Sequence, residues 1–232
     1  RSKQMNNIID LTFIQLLNEV RENKLSAHSL SLLDKLYDPG FKAPEDDVYI
    51  TLTTHNYKAD NINAKELAKI PEKSFYIRAR IQGEYPERMY PTEENLELKI
   101  GSKVMFLKND KEFVRRYYNG SIGIVEEITD EYIAVKLPEI GESILVEPEV
   151  WENILYETDA DTKQIKETLQ GTFTQFPLRL AWAITIHKSQ GLTFEKAIID
   201  VGSAFTAGQV YVALSRCRTL EGIVLKSKIN EN

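Results

Sequence analysis

Cysteine is nearly absent: Cys217 is the single one in 232 residues. That excludes an intramolecular disulfide and suits a reducing compartment. The three histidines and this one cysteine fall at no spacing that would hold a metal ion. No apolar run approaches the roughly 18 residues of a membrane-spanning helix, and no signal-peptide pattern opens the chain. Positive charge is also short. The 29 Lys and Arg against 35 Asp and Glu leave a net charge of −6, which argues against non-specific coating of nucleic acid. Any contact with a phosphate backbone must then be a local polar and basic groove on an acidic body. A G-x-x-x-x-G-K-[ST] loop is missing, and no apolar strand runs directly into an Asp-Glu pair that would hold Mg²⁺. These two gaps disfavour a self-sufficient phosphate-loop enzyme. The chain opens on Arg1 instead of Met, as expected of a processed product or an excised fragment.

What is present is enough for a sizeable core. Hydrophobic residues make up 42% of the chain, and its length fits one or two domains. Residues 6–23 carry Ile8, Ile9, Leu16, Leu17 and Val20 at near-helical spacing, with Asn6 or Asn7 as a cap. A second helix is predicted over 27–37. The Pro-, Gly- and acid-rich stretch 38–47 reads as a loop, and the β-branched run VYITLT at 48–53 as a strand. A polar turn follows, then a helix from about Ala59. After Pro71 short strands dominate, at 75–81, 103–109, 121–128, 131–137 and 143–151. Turn signals such as Gly101, Asn119–Gly120 and Gly141 separate them, a pattern that suggests a small β-barrel. From about Thr172 strand–helix alternation returns, with strands at 179–186, 197–201 and 222–227. The simplest organisation is an α/β domain, 1–75 and 172–232, interrupted by a β-barrel at 76–171.

Chemistry concentrates in residues 177–225. Two polar clusters, TIHKSQG at Thr185–Gly191 and YVALSRCR at Tyr211–Arg218, sit between apolar flanks. Strands that end in Thr, His, Lys, Ser, Gln and Gly make poor core. Hydroxyls, amides and backbone N–H groups do hold phosphate oxygens without needing a particular base. The two clusters, in this order and spacing, resemble motifs V and VI of superfamily 1 helicases. Their wording is similar to the RecD/Pif/Dda branch, superfamily 1B. "KIGSKVMFLKND…NGSIGIVEEI" and "LTTHNYKADNIN" extend the likeness. The resemblance implies an α/β RecA-like domain of the P-loop NTPase type, the second of its kind in such motors, with a small SH3-like barrel inserted. It further implies that the missing phosphate loop and acidic strand belong to a first, N-terminal RecA-like domain, which would hold most of the ATP and Mg²⁺. Single-stranded DNA and that N-terminal domain are the implied partners. The implied setting is a monomer, away from membranes, in the cytoplasm of a bacterial or phage-encoded system, moving 5′→3′.

The same resemblance assigns roles residue by residue. Lys188 brings charge to a DNA phosphate, while Thr185, His187 and Ser189 add polar contacts around the loop. Gly191 permits close backbone approach. Gln190 and Gly191 face the nucleotide, together with Arg216, an arginine finger at the far end of a helix. Tyr211, Val212 and Leu214 are expected to form that helix's buried face. Thr54 and Asn56, flanking His55 in a turn before a helix, touch the DNA backbone; a plain polar turn with an Asn cap is the other reading. Arg1 before Ser2 resembles the opening of motif IV, whose arginine also reaches the γ-phosphate. Arg218 either assists Arg216 or pairs with an acid. Cys217, Trp151 and Trp182 read as core. Residues 108–118 interleave basic and aromatic side chains, as a solvated hairpin or as a single-strand contact. A competing function remains: a DNA- or protein-binding module that keeps the fold without a motor half. An intact Arg216 argues against it, since a pure binding module has no use for an exposed finger.

Overall fold

The computed structural model describes residues 2–44, 47–138, 140–158, 165–202 and 207–229. Two compact units emerge, one built from Arg1–Glu66 with Ala181–Asn232, the other from Leu67–Leu180.

The discontinuous unit begins with α1 (Ser2–Glu22), α2 (Ala27–Leu36), β1 (Ile50–Thr53) and α3 (Asn56–Lys69). Phe13, Leu16 and Val20 recur at helical spacing, and they are the residues α1 buries. Ser26 caps α2, its hydroxyl accepting the Ser29 N–H at 3.2 Å.

The continuous unit holds β2 (Phe75–Arg78), β3 (Arg80–Gly83), β4 (Asn95–Leu98), β5 (Lys103–Phe106), β6 (Ile122–Ile128), β7 (Ile133–Leu137), β8 (Glu142–Val146), β9 (Glu149–Thr158), β10 (Ile165–Gln175) and β11 (Leu178–Leu180). Every pairing among them is antiparallel. One sheet runs β11-β5-β6-β7-β8, another β3-β10-β9, and β2 pairs with β4. No ladder joins β11 to β8 among the described residues. A shared core of Leu96, Leu98, Val104, Phe106, Val135, Ile144 and Leu178 knits the β4 strand to the five-stranded sheet.

The chain then returns to the first unit with β12 (Ala183–Thr185), β13 (Ala197–Asp200), α4 (Ala207–Leu214) and β14 (Ile223–Leu225). Their sheet has the order β12-β1-β13-β14 and is parallel throughout. Its strands are almost wholly buried, as a parallel sheet demands. Helix α1 packs on α4, and α2 on β14. The buried face of α4 is Val210, Ala213 and Leu214, continued by Cys217. Tyr211 and Val212, expected on that face, are only half-buried. A helical repeat places 210, 213, 214 and 217 on one side and turns 211 and 212 away. Trp151 and Trp182, expected in the core, are half-buried as well.

Candidate nucleic-acid interface

A parallel sheet puts the carboxyl ends of its strands along one edge, where ligands of open α/β folds are held. Here the ladder aligns Thr53 of β1 with Thr185 of β12 and with Asp200 of β13. The Ile186 N–H extends the register by donating to the Thr53 carbonyl at 2.9 Å. The two polar segments, Thr54–Asn56 and Thr185–Gly191, are thus neighbours on that edge despite their separation in sequence.

After β12 the chain makes one tight helical turn. The Ser189 N–H donates to the Thr185 carbonyl at 3.0 Å, and the Ser189 hydroxyl donates to the Ile186 carbonyl at 2.7 Å. The Thr185 hydroxyl accepts the Lys188 N–H at 3.4 Å. Thr185 and Ser189 are therefore buried, and their side chains hold the turn in shape. Ser189, expected to face the loop, turns inward. His187, Lys188, Gln190 and Gly191 are the exposed members. Among the described residues, no side-chain hydrogen bond or ion pair engages Lys188 or Gln190. Gly191 has φ +81°, a left-handed conformation that ends the turn. An added Cβ would meet no atom within 4 Å, so backbone conformation, not crowding, is what glycine supplies here.

On β1's side, the Thr53 hydroxyl donates to the His55 carbonyl at 3.2 Å, and Thr54 Oγ1 lies 2.6 Å from His55 Nδ1. His55 and Asn56 are exposed, Thr54 half-buried. Two residues on this edge escape sequence reasoning. Lys58 places its Nζ 3.8 Å from where a Cβ on Gly202 would sit. Asn63, on the middle of α3, clamps β12: its amide donates to the Ala183 carbonyl at 2.9 Å, and its Oδ1 accepts the Ala183 N–H at 2.8 Å. An asparagine inside a helix, where its propensity is poor, is the signal that could have pointed to it.

Arg216 follows α4 and is half-buried. Sequence reasoning aims it outward, yet the guanidinium folds back. Nε donates to the Val212 carbonyl at 3.1 Å, Nη1 to the Leu192 carbonyl at 3.3 Å and Nη2 to the Ser215 hydroxyl at 3.0 Å. Leu192 directly follows the TIHKSQG turn. Backbone bonds reinforce the link: the Phe194 N–H donates to the Arg216 carbonyl at 2.7 Å, and the Arg218 N–H to the Phe194 carbonyl at 3.2 Å. The two motifs are thus laced together. Arg218 is spent on an ion pair with Glu195. Burial pushes the Cys217 thiol up to about 12, so it stays protonated and inert. Arg1 lies outside the described residues. In the 108–118 segment, Lys108 and Lys111 both pair with Glu149, and Arg116 forks onto Asp110, leaving few uncommitted charges in this β5–β6 connection.

No protein-family model matches the chain. It is similar to the ATP-dependent DNA helicase Pif1 of Campylobacter jejuni, 34% identical over 224 residues, which covers 89% of this chain and 48% of that protein. Unliganded Pif1 from Bacteroides sp superposes with a TM-score of 0.86 at 42% identity, over 95% of this chain and 50% of that one. Bacteroides Pif1 bound to ssDNA superposes with a TM-score of 0.69 at 42% identity, over 94% and 49%. The chain spans about half the length of the relatives it matches. The parallel sheet, its carboxyl-edge loops and these superpositions define a RecA-like α/β domain. The chain belongs to the Pif1-like branch of the superfamily 1B helicases and matches their C-terminal part.

Proposed function

We propose that this chain supplies the strand-gripping half of an ATP-dependent DNA helicase that travels 5′→3′ on single-stranded DNA and unwinds duplex. One observation supports the role above the others: the parallel register sets the Thr54–Asn56 turn beside the TIHKSQG turn on one exposed edge. Lys188 and His187 would meet DNA phosphates there, with Thr54 and Asn56 completing the polar rim. Thr185 and Ser189 serve that grip by shaping the turn.

ATP with Mg²⁺, when bound, supplies the hydrolysable phosphoanhydride; a first RecA-like domain would hold most of it. This chain's residues fit such a group. Arg216 gives its three hydrogen bonds to neutral oxygens, and no described carboxylate offsets its charge. A permanently charged planar fork in that state suits the negative charge spread over a transferring phosphoryl group. Gln190 and Gly191 would line the same side, joined by Arg1. The Leu192 carbonyl on Arg216 then gives the DNA-facing turn a direct link to the nucleotide. The Leu67–Leu180 unit would be the insertion, with an SH3-like barrel at its centre between about residues 76 and 171. The assembled motor would act as a monomer in the cytoplasm.

The test is Arg216→Ala in the full-length protein. Hydrolysis should fall at least about a thousandfold, in line with other arginine fingers, while affinity for oligo-dT stays within about twofold. Equal loss of both overturns the finger role. Unchanged hydrolysis, with DNA binding indifferent to nucleotide, would favour a non-catalytic binding module.

A further inference from the structure

The same edge carries two rings that the phosphate grip does not use. His55 and Tyr57 lie at the start of α3, and Tyr57 is 60% exposed. Their centroids are 5.5 Å apart with the planes at 45°. The Thr54 hydroxyl, 2.6 Å from Nδ1, fixes the imidazole in place. Single exposed aromatics are ordinary on a protein surface, but these two have particular company. Lys58, next in sequence, reaches toward Gly202, and Lys188 belongs to the adjoining turn. Neither lysine forms an ion pair among the described residues, although Asp60 lies on α3 with Lys58 and Asp200 ends β13. In a chain of net charge −6, two uncommitted ammonium groups beside exposed rings complement an anionic partner with flat apolar faces. An unpaired nucleotide offers both: a base to stack and a phosphate to hold.

We propose that His55 and Tyr57 form a stacking step for one unpaired nucleobase of the strand whose phosphates Lys58 and Lys188 hold. The step rests on the DNA-grip reading and adds to it a contact that senses the presence of a base. Stacking tolerates any base, since every base has a π-face, so the step should read single-strandedness without reading sequence.

Fluorescence anisotropy on the 232-residue chain tests this with two probes, oligo-dT and a deoxyribose-phosphate strand of equal length without bases. The expected result is about tenfold tighter binding of oligo-dT. Tyr57→Ala should erase that preference and leave the abasic affinity and its salt dependence unchanged; Tyr57→Trp should retain it. A preference that survives Tyr57→Ala, or equal salt-sensitive binding of both strands by the unaltered chain, overturns the stacking step and leaves the grip standing. Failure of the unaltered chain to bind either strand overturns grip and step together.

Discussion

Arg216 and Arg218 stand two positions apart and reach different electrostatic ends. Arg218 is neutralised by Glu195 at the surface, while Arg216 keeps its charge among carbonyls and a hydroxyl. The sequence shows two arginines in SRCR but not which one has an acid within reach, because Glu195 comes from another loop. The TIHKSQG turn is partly legible for a similar reason. Exposed His187, Lys188 and Gln190 follow from their polarity. The burial of Ser189 does not, since it arises when the Ser189 N–H bonds the Thr185 carbonyl and turns both side chains inward. Lys188 is the simplest residue to test. Lys188→Ala should weaken single-strand binding several-fold and reduce the slope of log affinity against log salt by about 0.7, the release of one phosphate's counterion. Arg218→Ala should leave that slope unchanged, and a flat response to Lys188→Ala across a salt series would count against the grip.

Among the elements, β12 is the one on which the site hangs. It is three residues long, at the edge of its sheet, and Asn63 supplies on its open side the two hydrogen bonds a further strand would have made. Asn63→Ala removes both and should cost about 1–3 kcal/mol, because the Ala183 backbone loses its partners. Urea unfolding measures the loss; a change below about 0.5 kcal/mol, typical of a neutral surface site, would mean that the clamp is idle. Strands with apolar alternation, such as β6 and β7, were readable within a residue or two. Two longer runs were not, because hydrophobicity does not show where one strand stops. The run 143–151 divides at Glu147–Pro148, where proline lacks a donor. The run 179–186 serves two sheets: Leu178–Leu180 pairs with β5, and Ala183–Thr185 with β1. Strand β10 carries Lys, Glu, Gln and Thr, too polar a segment to announce eleven residues of ladder.

At the scale of the molecule, each compact unit holds one tryptophan. Trp151 packs against Phe173 and under Lys108 in the Leu67–Leu180 unit, and Trp182 belongs to the other. Trp182→Phe and Trp151→Phe therefore each leave a single fluorescent reporter. Urea midpoints from the two variants should differ, and acid should lower the Trp151 midpoint. The cause is Asp110, whose carboxylate is held down to about 2 by the Arg116 guanidinium and by backbone N–H donors. A depressed folded-state value contributes stability fully above the unfolded carboxylate range near 4, and that stability is lost as pH falls through about 2. Asp110→Asn should shrink that acid-induced fall; coincident midpoints at every pH would mean that the units melt as one. The order of synthesis adds a consequence of the sheet's connectivity. Strand β1 is made before both its neighbours, β12 and β13, which follow it by roughly 130 residues or more. Ladders of the antiparallel unit such as β6 with β7, β7 with β8 and β9 with β10 close between consecutive strands, whereas β3 with β10 and β5 with β11 close later. Ile50–Thr53 must wait without its ladder partners until β12 and β13 have been made, which makes the nascent chain, not the finished fold, the state most exposed to aggregation.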